Sequence, residues 1–439
     1  MRLTRRAAVL TLPLGLGACS LFDNMFSDHK TPLGGKREPV LATRRGLELD
    51  PNDRRTVAIP PPAPVAEWPQ AGGTPTHVVG NVAISGLQPA WRADVGRGGG
   101  YRAKLTSAPI IAGGAVFTMD SNGQVTAFDL ASGSRQWRTD TQGEDDRSSN
   151  LGGGIAVVGG TVYATTGRAE ALALEAATGR ITWRKPLDSP ARSGPTVVNG
   201  QLYCTTLDGR VLAMSAANGD RTWAYQGTSS STTVLADAAP AVAEGFVVAG
   251  FGSGELVTVR ADSGVLVWSD SLASARGRSS QVDLSAIRAL PVIENGRVYA
   301  IGIGGLLVSL DLRSGRRLWE REVGGGQTPC LAGDWLFVQT LDQSLAALSK
   351  EDGRVGWVQD LPRWDDPAKQ RDPIFWAGPV LAGNKLVLAG TSATAVSVDP
   401  VSGRILGTQE LRGAVTIGPV AAAGTLFILS DDGTLQAFR

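Results

Sequence analysis

One unit of sequence recurs along most of this chain, and the recurrence constrains the fold more than any other feature. It reads APIIAGGAVFTMDSNGQVTAFDLASGSRQW over residues 108–137 and GPTVVNGQLYCTTLDGRVLAMSAANGDRTW over residues 194–223. The other copies end at Trp183, Trp268, Trp319, Trp357 and Gly407. A glycine lies four residues before every end, at Gly133, Gly179, Gly219, Gly264, Gly315, Gly353 and Gly403. The spacing of about 45 residues between these glycines predicts one four-stranded propeller blade per copy.

Each copy predicts four short antiparallel strands that are joined by tight turns. The first turn recurs as pairs such as Gly113-Gly114 and Asn199-Gly200, and the second as pairs such as Asn122-Gly123. Such pairs supply the positive φ that tight hairpins require. A small polar residue before each recurring glycine fits a third turn that a left-handed glycine closes. Glycine makes up 56 of the 439 residues, which argues against a helical fold because each interior glycine costs a helix about 1 kcal/mol relative to alanine.

An eighth blade is predicted from the two ends of the repeat region. Residues 417–439 supply three strands, whereas residues 87–91 resemble the closing strand of a blade with nothing before it. Pairing these segments removes the last open edges of the ring. The predicted fold is all-β: an eight-bladed β-propeller of four-stranded antiparallel blades over residues 87–439, closed by its N- and C-terminal strands. The recurring tryptophans are expected to pack between neighbouring blades.

Charge and rare residues exclude several classes of function. The 42 lysines and arginines nearly balance the 41 aspartates and glutamates, so no field of one sign is available to attract nucleic acid. The two histidines, His29 and His77, both precede the repeats, which argues against a Ser-His-Asp triad or a multi-histidine metal site. The three cysteines form no CxxC pair. No metal and no cofactor are predicted.

The N-terminal residues are typical of an export signal. Arginines at positions 2, 5 and 6 precede an apolar stretch, residues 7–17, that is too short to span a membrane. The stretch ends in Leu-Gly-Ala-Cys, which resembles a bacterial lipobox and predicts lipidation of Cys19 after removal of residues 1–18; an ordinary signal peptide with a coincidental cysteine is the alternative. Ser20 resembles outer-membrane sorting, and Sec and twin-arginine export both stay open. Residues 19–86 are polar and proline-punctuated, so we expect the lipidated N-terminus to continue as an extended tether, with at most a short pairing segment.

Three insertions extend the connections between blades, over residues 224–238, 269–288 and 358–376. Connections of this kind share one face of a propeller, and insertions confined to one face usually mark the binding side. Their mixed charged, aromatic and aliphatic residues suit a protein interface better than a small polar substrate, although plain solvated loops remain an alternative. The candidate partner-binding residues are Thr232, Val234, Leu235, Arg276, Arg278, Asp283, Arg288, Trp364, Asp366 and Arg371.

The recurring pattern of an apolar residue followed by Asp-x-x-Ser-Gly-x-x-x-Trp resembles the tryptophan-containing repeat of pyrroloquinoline-quinone propellers. Together with the lipobox, the tether and eight blades, it makes the chain similar to the BamB family of propeller lipoproteins. The resemblance implies a non-catalytic scaffold of the outer-membrane β-barrel assembly (BAM) machinery, lipid-anchored at the periplasmic face of the outer membrane. The implied partners are the periplasmic domains of BamA, other BAM components and unfolded β-barrel clients.

The same resemblance implies that the two loops flanking the fourth blade contact BamA through a leucine-and-arginine segment and an acidic segment. By position Thr232, Val234 and Leu235 match the first segment, but its arginine is absent. Ala286 and Arg288 stand where the second segment carries aspartates. The place of contact is therefore expected to be retained with a different chemistry.

A quinone-dependent periplasmic dehydrogenase is the alternative function, because enzymes share this repeat. Such an enzyme would hold its quinone on a calcium ion and commonly carries a vicinal disulfide. Cys204 and Cys330 fall in the third and sixth blades, which favours separate burial. Four acids share one repeat position beside the glycine turn, and we expect them to serve the turn: Asp129, Glu175, Asp311 and Asp399.

Overall fold

The repeat unit folds as expected into an all-β protein. The computed structural model describes residues 46–53, 55–100, 103–143, 150, 152–191, 193–228, 238–273 and 285–439, within which it contains strands and no helix. These residues belong to one compact unit, residues 44–439. The predicted signal peptide, the lipidation site and the first part of the predicted tether lie outside them.

Thirty-four strands make up the described chain. They are β1 (Pro89–Asp94), β2 (Ile110–Ala112), β3 (Ala115–Met119), β4 (Val125–Asp129), β5 (Arg135–Thr139), β6 (Gly153–Val158), β7 (Thr161–Thr166), β8 (Glu170–Glu175), β9 (Ile181–Pro186), β10 (Thr196–Val198), β11 (Gln201–Thr205), β12 (Arg210–Ser215), β13 (Arg221–Gln226), β14 (Ala241–Ala243), β15 (Phe246–Gly250), β16 (Glu255–Arg260), β17 (Leu266–Ser271), β18 (Val292–Glu294), β19 (Arg297–Ile301), β20 (Leu307–Asp311), β21 (Arg317–Arg321), β22 (Cys330–Ala332), β23 (Trp335–Gln339), β24 (Ser344–Ser349), β25 (Val355–Asp360), β26 (Trp364–Asp366), β27 (Arg371–Pro373), β28 (Trp376–Ala382), β29 (Lys385–Gly390), β30 (Thr394–Val398), β31 (Ile405–Glu410), β32 (Val420–Ala422), β33 (Thr425–Leu429) and β34 (Thr434–Phe438).

Eight four-stranded antiparallel sheets confirm the predicted blades. Blades 1 to 6 take four consecutive strands each from β2 to β25, blade 7 consists of β28 to β31, and β26 and β27 form a separate hairpin between blades 6 and 7. Blade 8 contains β32, β33, β34 and β1. The predicted closure is confirmed by the register of β1 on β34, in which Arg92 lies opposite Gln436 and Ala93 opposite Leu435.

Burial decreases from the first strand of each blade to the fourth. In blade 1 the short first strand β2 and the second strand β3 are buried throughout, whereas the fourth strand β5 alternates between exposed and half-buried residues. The first strands therefore surround the central channel, and the fourth strands form the outer rim. The apolar side chains of the middle strands fill the space between adjacent blades.

The recurring tryptophan and glycine join each blade to the next. The indole N–H of each tryptophan donates to a backbone carbonyl just before the glycine turn of the following blade: Trp91 to Leu130, Trp137 to Ala176, Trp183 to Ala216, Trp223 to Ala261, Trp268 to Leu312, Trp319 to Lys350 and Trp357 to Pro400. A Cβ on the turn glycine of that blade would overlap the tryptophan, as for Gly219 against Trp183 at 2.8 Å. Packing between blades is thus the observed role of these tryptophans.

Blade 7 lacks this tryptophan because blade 8 lacks the turn that would receive it. The fourth strand of blade 8 is β1, which comes from the other end of the chain, so no hairpin joins β34 to it. Gly407 takes the tryptophan position in β31, and a Cβ there would meet no atom within 4 Å. The corner between blades 7 and 8 is therefore open, unlike the corners that the seven tryptophans fill.

The second half of the predicted tether is packed against the propeller. We call residues 46–53 and 55–86 the strap. Its apolar residues are buried, with Leu47, Val57, Trp68 and Val82 at most 8% exposed. These residues follow no helix or strand period, so the sequence did not indicate that they enter a core, although the expected extended conformation is largely retained.

The strap crosses the first strands in ring order and makes one circuit of the channel. Its carbonyls accept hydrogen bonds from the inner edges of successive blades: Val65 from Ala423, Trp68 from Ile111, Pro69 from Val157, Pro75 from Val242, Thr76 from Ile293 and Val82 from Gly383. The side chain of Gln70 accepts from the Val197 amide in blade 3. Extended, proline-containing chain suits this role because it presents free carbonyls. The strap thereby supplies partners for edge groups that face the channel.

Candidate functional site

The two ends of the ring differ, and the insertions are at the end opposite the strap. The strap contacts the turns between first and second strands, where Glu67 accepts from the Gly113 amide and Asn81 bonds Asn384. The connections between blades instead contact the turns between second and third strands. The amide that follows a fourth strand donates to such a turn in the pairs Leu187 to Ala169, Gly227 to Gly209, Leu272 to Gly254, Leu361 to Gln343 and Leu411 to Ala393. We call these ends the strap face and the connection face.

Most of the candidate residues from the first two insertions lie outside the described residues. These are Thr232, Val234, Leu235, Arg276, Arg278 and Asp283. The lipidation candidate Cys19 also lies outside the described residues. Both described ends of the second insertion are anchored on the connection face, where Ser285 donates to the Ser253 carbonyl and Ala273 bridges Gly305. Ala286, the position of an expected aspartate, is buried at 3% exposure.

The third insertion brings its candidate residues together on one hairpin. Trp364 and Asp366 lie on β26 and Arg371 on β27, with Asp366 directly opposite Arg371. Asp366 also forms an ion pair with Lys369 at 3.2 Å. Phe375, which sequence reasoning did not select, is 57% exposed beside this hairpin. The neighbouring Trp376 belongs to the core instead, where its indole donates to the Pro362 carbonyl.

Arg288, a candidate partner-binding residue, lies at the channel of the ring. Its side chain lines a channel cavity of about 200 Å³ together with Gln327, Thr328 and Ser193. The residue is accessible to solvent, yet the surrounding walls desolvate the guanidinium and lower its pKa. Arg288 lies four residues before β18, a first strand, and it therefore faces the channel once the ring is closed.

The fourth blade, between the two partly described insertions, presents an exposed apolar run on its outer strand. Val265, Leu266 and Val267 are 58%, 44% and 37% exposed. Consecutive exposed aliphatic residues of this kind are typical of a protein interaction surface. The sequence indicates that this run is unusual, because the corresponding outer strands of blades 1, 3 and 5 begin with arginine instead of an apolar residue.

The strap face of the channel is closed by buried, neutral groups. A cavity of about 180 Å³ lies over the strap between Trp68, His77, Cys330 and Leu381. The Nδ1 atom of His77 is 2.6 Å from the Pro291 carbonyl oxygen, and burial lowers the pKa of His77 to about 4. Burial also raises the pKa of Cys330 and of Cys204 to about 12. These groups are uncharged at neutral pH.

The acids beside the glycine turns have the structural role expected of them. Asp129 accepts from the Ser132 amide and hydroxyl, and Asp311 accepts from the same groups of Ser314. These hydrogen bonds lower the pKa of both carboxyls. Glu175 and Asp399 bond Thr178 and Ser402 in the same manner.

The fold and its repeat define the chain as an eight-bladed propeller of the pyrroloquinoline-quinone repeat type. A family profile described as outer membrane protein assembly factor BamB matches residues 82–150, 121–359 and 342–439. The chain belongs to the BamB family of outer membrane protein assembly factors.

Relatives named BamB support the assignment, although the matched regions differ in length. The BamB of Alkalilimnicola ehrlichii is 39% identical over 350 residues, which cover 80% of this chain and 87% of the relative. The BamB of Escherichia coli is 29% identical over 211 residues, which cover 47% of this chain and 51% of the relative. For that relative the matched region thus spans about half of its length.

Solved structures agree with the fold. The crystal structure of BamB from Moraxella catarrhalis superposes with a TM-score of 0.68 at 17% identity and covers 80% of this chain and 99% of its own. A quinohemoprotein alcohol dehydrogenase from Comamonas testosteroni superposes with a TM-score of 0.67 at 13% identity. The superposition covers 86% of this chain and 81% of the dehydrogenase. Similarity at these identities concerns the fold, which enzymes and assembly factors share.

Proposed function

We propose that this protein is a non-catalytic, lipid-anchored subunit of an outer-membrane β-barrel assembly complex and that blade 4, together with the insertions before and after it in the sequence, binds the periplasmic domains of BamA. The observation that carries this proposal is a solvent-exposed apolar run at Val265, Leu266 and Val267, at the start of the outer strand of that blade. Apolar residues surrounded by mixed charge form the usual core and rim of a protein interface.

The chemistry of this surface differs from a small-molecule site. The run lies on the convex outer rim, whereas ligand pockets are concave and enclose most of their ligand. Arg276, Arg278 and Asp283 belong to the insertion that follows this strand in the sequence and are the candidate charged contacts. The hairpin of Trp364, Asp366 and Arg371 lies between blades 6 and 7 and offers a second surface for another component of the complex.

The absence of catalysis is supported by what lines the channel, where a related enzyme would hold its quinone. His77 is fully buried, and burial keeps its imidazole neutral. The half-buried Cys330 lies in the same cavity and belongs to blade 6, whereas Cys204 belongs to blade 3. Among the described residues no group of three or more histidine, cysteine, aspartate or glutamate side chains is placed to hold a metal ion.

The test is co-purification of BamA from detergent-solubilised membranes with the tagged full-length protein. Replacing Val265 and Val267 together by lysine should abolish recovery of BamA, because two charges would have to be buried at the interface core. Ser134→Lys with Gln136→Lys is the matched control, since it places the same charges at the equivalent exposed positions of blade 1. Equal recovery with both double variants would remove blade 4 from the interface.

Anchoring is tested separately at Cys19. Mass spectrometry of the mature protein should find acyl chains on an N-terminal cysteine, and Cys19→Ser should release the protein from membranes, because several acyl chains are needed for stable attachment. An intact signal peptide on the mature protein would contradict the anchor without affecting the BamA experiment.

A further inference from the structure

The fourth strands of the eight blades differ in how their outer edges are protected. Such edges carry unpaired backbone N–H and C=O groups, and lysine or arginine on the strand is a common protection against pairing with another chain. Five fourth strands contain these residues, at Arg92, Arg135, Arg138, Arg184, Lys185, Arg221, Arg317 and Arg321. The three without a basic residue are β17, β25 and β31.

One of these three edges is covered by the chain itself. Leu49 of the strap pairs in parallel with Val355 of β25, and Val355 is only 4% exposed. Asp50 lies 4.0 Å from the guanidinium of Arg354, which immediately precedes the strand. Gly356 is covered as well, because a Cβ there would meet the Val57 side chain at 2.9 Å. The edge of blade 6 is therefore occupied by residues 47–50, an extended segment in which leucine alternates with an acidic residue.

The edge of blade 7 repeats this arrangement without an occupant among the described residues. Ile405 takes the place of Val355, as both pair with the residue after the same bulge in the third strand. Arg404 precedes Ile405 as Arg354 precedes Val355, and both strands end in glutamine and an acid. Ile405 is 39% exposed and Leu406 51% exposed. Gly407 adds open space where a tryptophan fills the other corners.

We propose that β31 binds an extended segment of an unfolded β-barrel precursor as a parallel fifth strand of blade 7. This inference rests on the proposed function and names its client surface. Strands of such barrels alternate apolar and polar residues and carry aromatic residues near their ends. Apolar residues of the incoming strand contact Ile405 and, through an aromatic ring, cover Gly407 on the same face, and an acidic residue pairs with Arg404 on the other face. The main-chain bonds provide affinity for many sequences.

The experiment uses purified full-length protein with a photoreactive benzoyl-phenylalanine at Leu406. The probe is a twelve-residue peptide in which tyrosine or leucine alternates with threonine or aspartate. The matched control carries the same group at Gln136, an equally exposed position on the arginine-protected edge of blade 1. We expect cross-linking at position 406 to exceed that at position 136 by about tenfold.

A second variant tests the edge itself. Ile405→Arg introduces the arginine that blades 1, 3 and 5 carry at this position, and it should lower cross-linking at position 406 by about tenfold. The exposed location of Ile405 leaves folding unaffected. Equal yields at positions 406 and 136, or no effect of the arginine, would overturn the inference.

Failure here is distinguishable from failure of the proposed function. Recovery of BamA with the Ile405→Arg protein should be unchanged, because blade 4 rather than blade 7 carries the BamA surface. If cross-linking at position 406 does not exceed that at position 136 while BamA is still recovered, only the proposal that β31 binds clients is rejected. No recovery of BamA by the wild-type protein would reject the proposed function, whatever the peptide does.

Discussion

The glycine that closes each third turn has two separate reasons to lack a side chain. Gly219, for example, has a φ of 74°, where a Cβ is strained, and a Cβ would also stand 2.8 Å from the Trp183 ring. The sequence predicted the first reason from the turn pattern. The second depends on the neighbouring blade and became visible only in the assembled ring.

A pair of alanine substitutions in blade 3 separates these two reasons. Gly200 has a φ of 76° but open space around its missing Cβ. Gly200→Ala should therefore cost only the backbone strain of about 1 kcal/mol, while Gly219→Ala should cost about 1 to 3 kcal/mol more from overpacking. Chemical denaturation measures both. Equal losses would mean that the tryptophan moves aside freely.

His77 makes a pH-dependent contribution to stability. Burial lowers its pKa from 6.5 to about 4, so between these values the unfolded chain binds a proton that the folded protein does not. Stability should fall as the pH is lowered through this window, by up to about 1.4 kcal/mol per pH unit from this residue. His77→Asn tolerates the positive φ and removes the titration. Thermal unfolding at pH 7, 5.5 and 4.5 should show a shallower decline for the variant; parallel declines would contradict the assignment.

Among the elements, the blades could be predicted and the strap could not. Turn pairs, alternating strands and tryptophans are local signals that recur in every copy, so the number and order of strands followed from them. The strap has no period, and its partners are distributed over all eight blades. The channel position of Arg288 was hidden for the same reason, because it depends on how distant segments meet. The pairing of Asp366 with Arg371 is local, but their hairpin was recognisable in the sequence only as an insertion. Phe375 was recognisable in the sequence as an apolar residue, but not as an exposed one.

The strap should be held in place largely by Trp68. Trp68→Ala removes a side chain that is 8% exposed, at a cost of about 3 to 5 kcal/mol for a buried aromatic residue. Hydrogen exchange should then accelerate at the amides of Val157, Val242 and Ile293, which donate to strap carbonyls. The amide of Tyr203, on a middle strand between β10 and β12, serves as the control. Unchanged exchange at the first three would show that the strap stays bound without its tryptophan.

At the scale of the whole molecule, blade 8 closes the ring by pairing β1 with β34, without a hairpin between the two strands. Ala437 lies between Trp91 and Phe427, and Ala213 lies between Trp223 and Tyr203 in blade 3. Proline at either position removes ladder bonds and should cost about 3 kcal/mol or more. Only Ala437→Pro should also make residues 87–94 sensitive to protease, since no hairpin holds β1. Equal protection in both variants would contradict closure by β34.

The closing pair of β1 and β34 also has a consequence in time. The two strands lie at opposite ends of the propeller sequence, so β1 is synthesised first and waits for its partner until the last blade has been completed. Contacts between residues so far apart form late, because a long loop must close before they can be made. Until then the growing protein is an open arc with two unprotected strand edges. The interval between the arrival of the first strand and the last is thus when the chain is most in need of a chaperone.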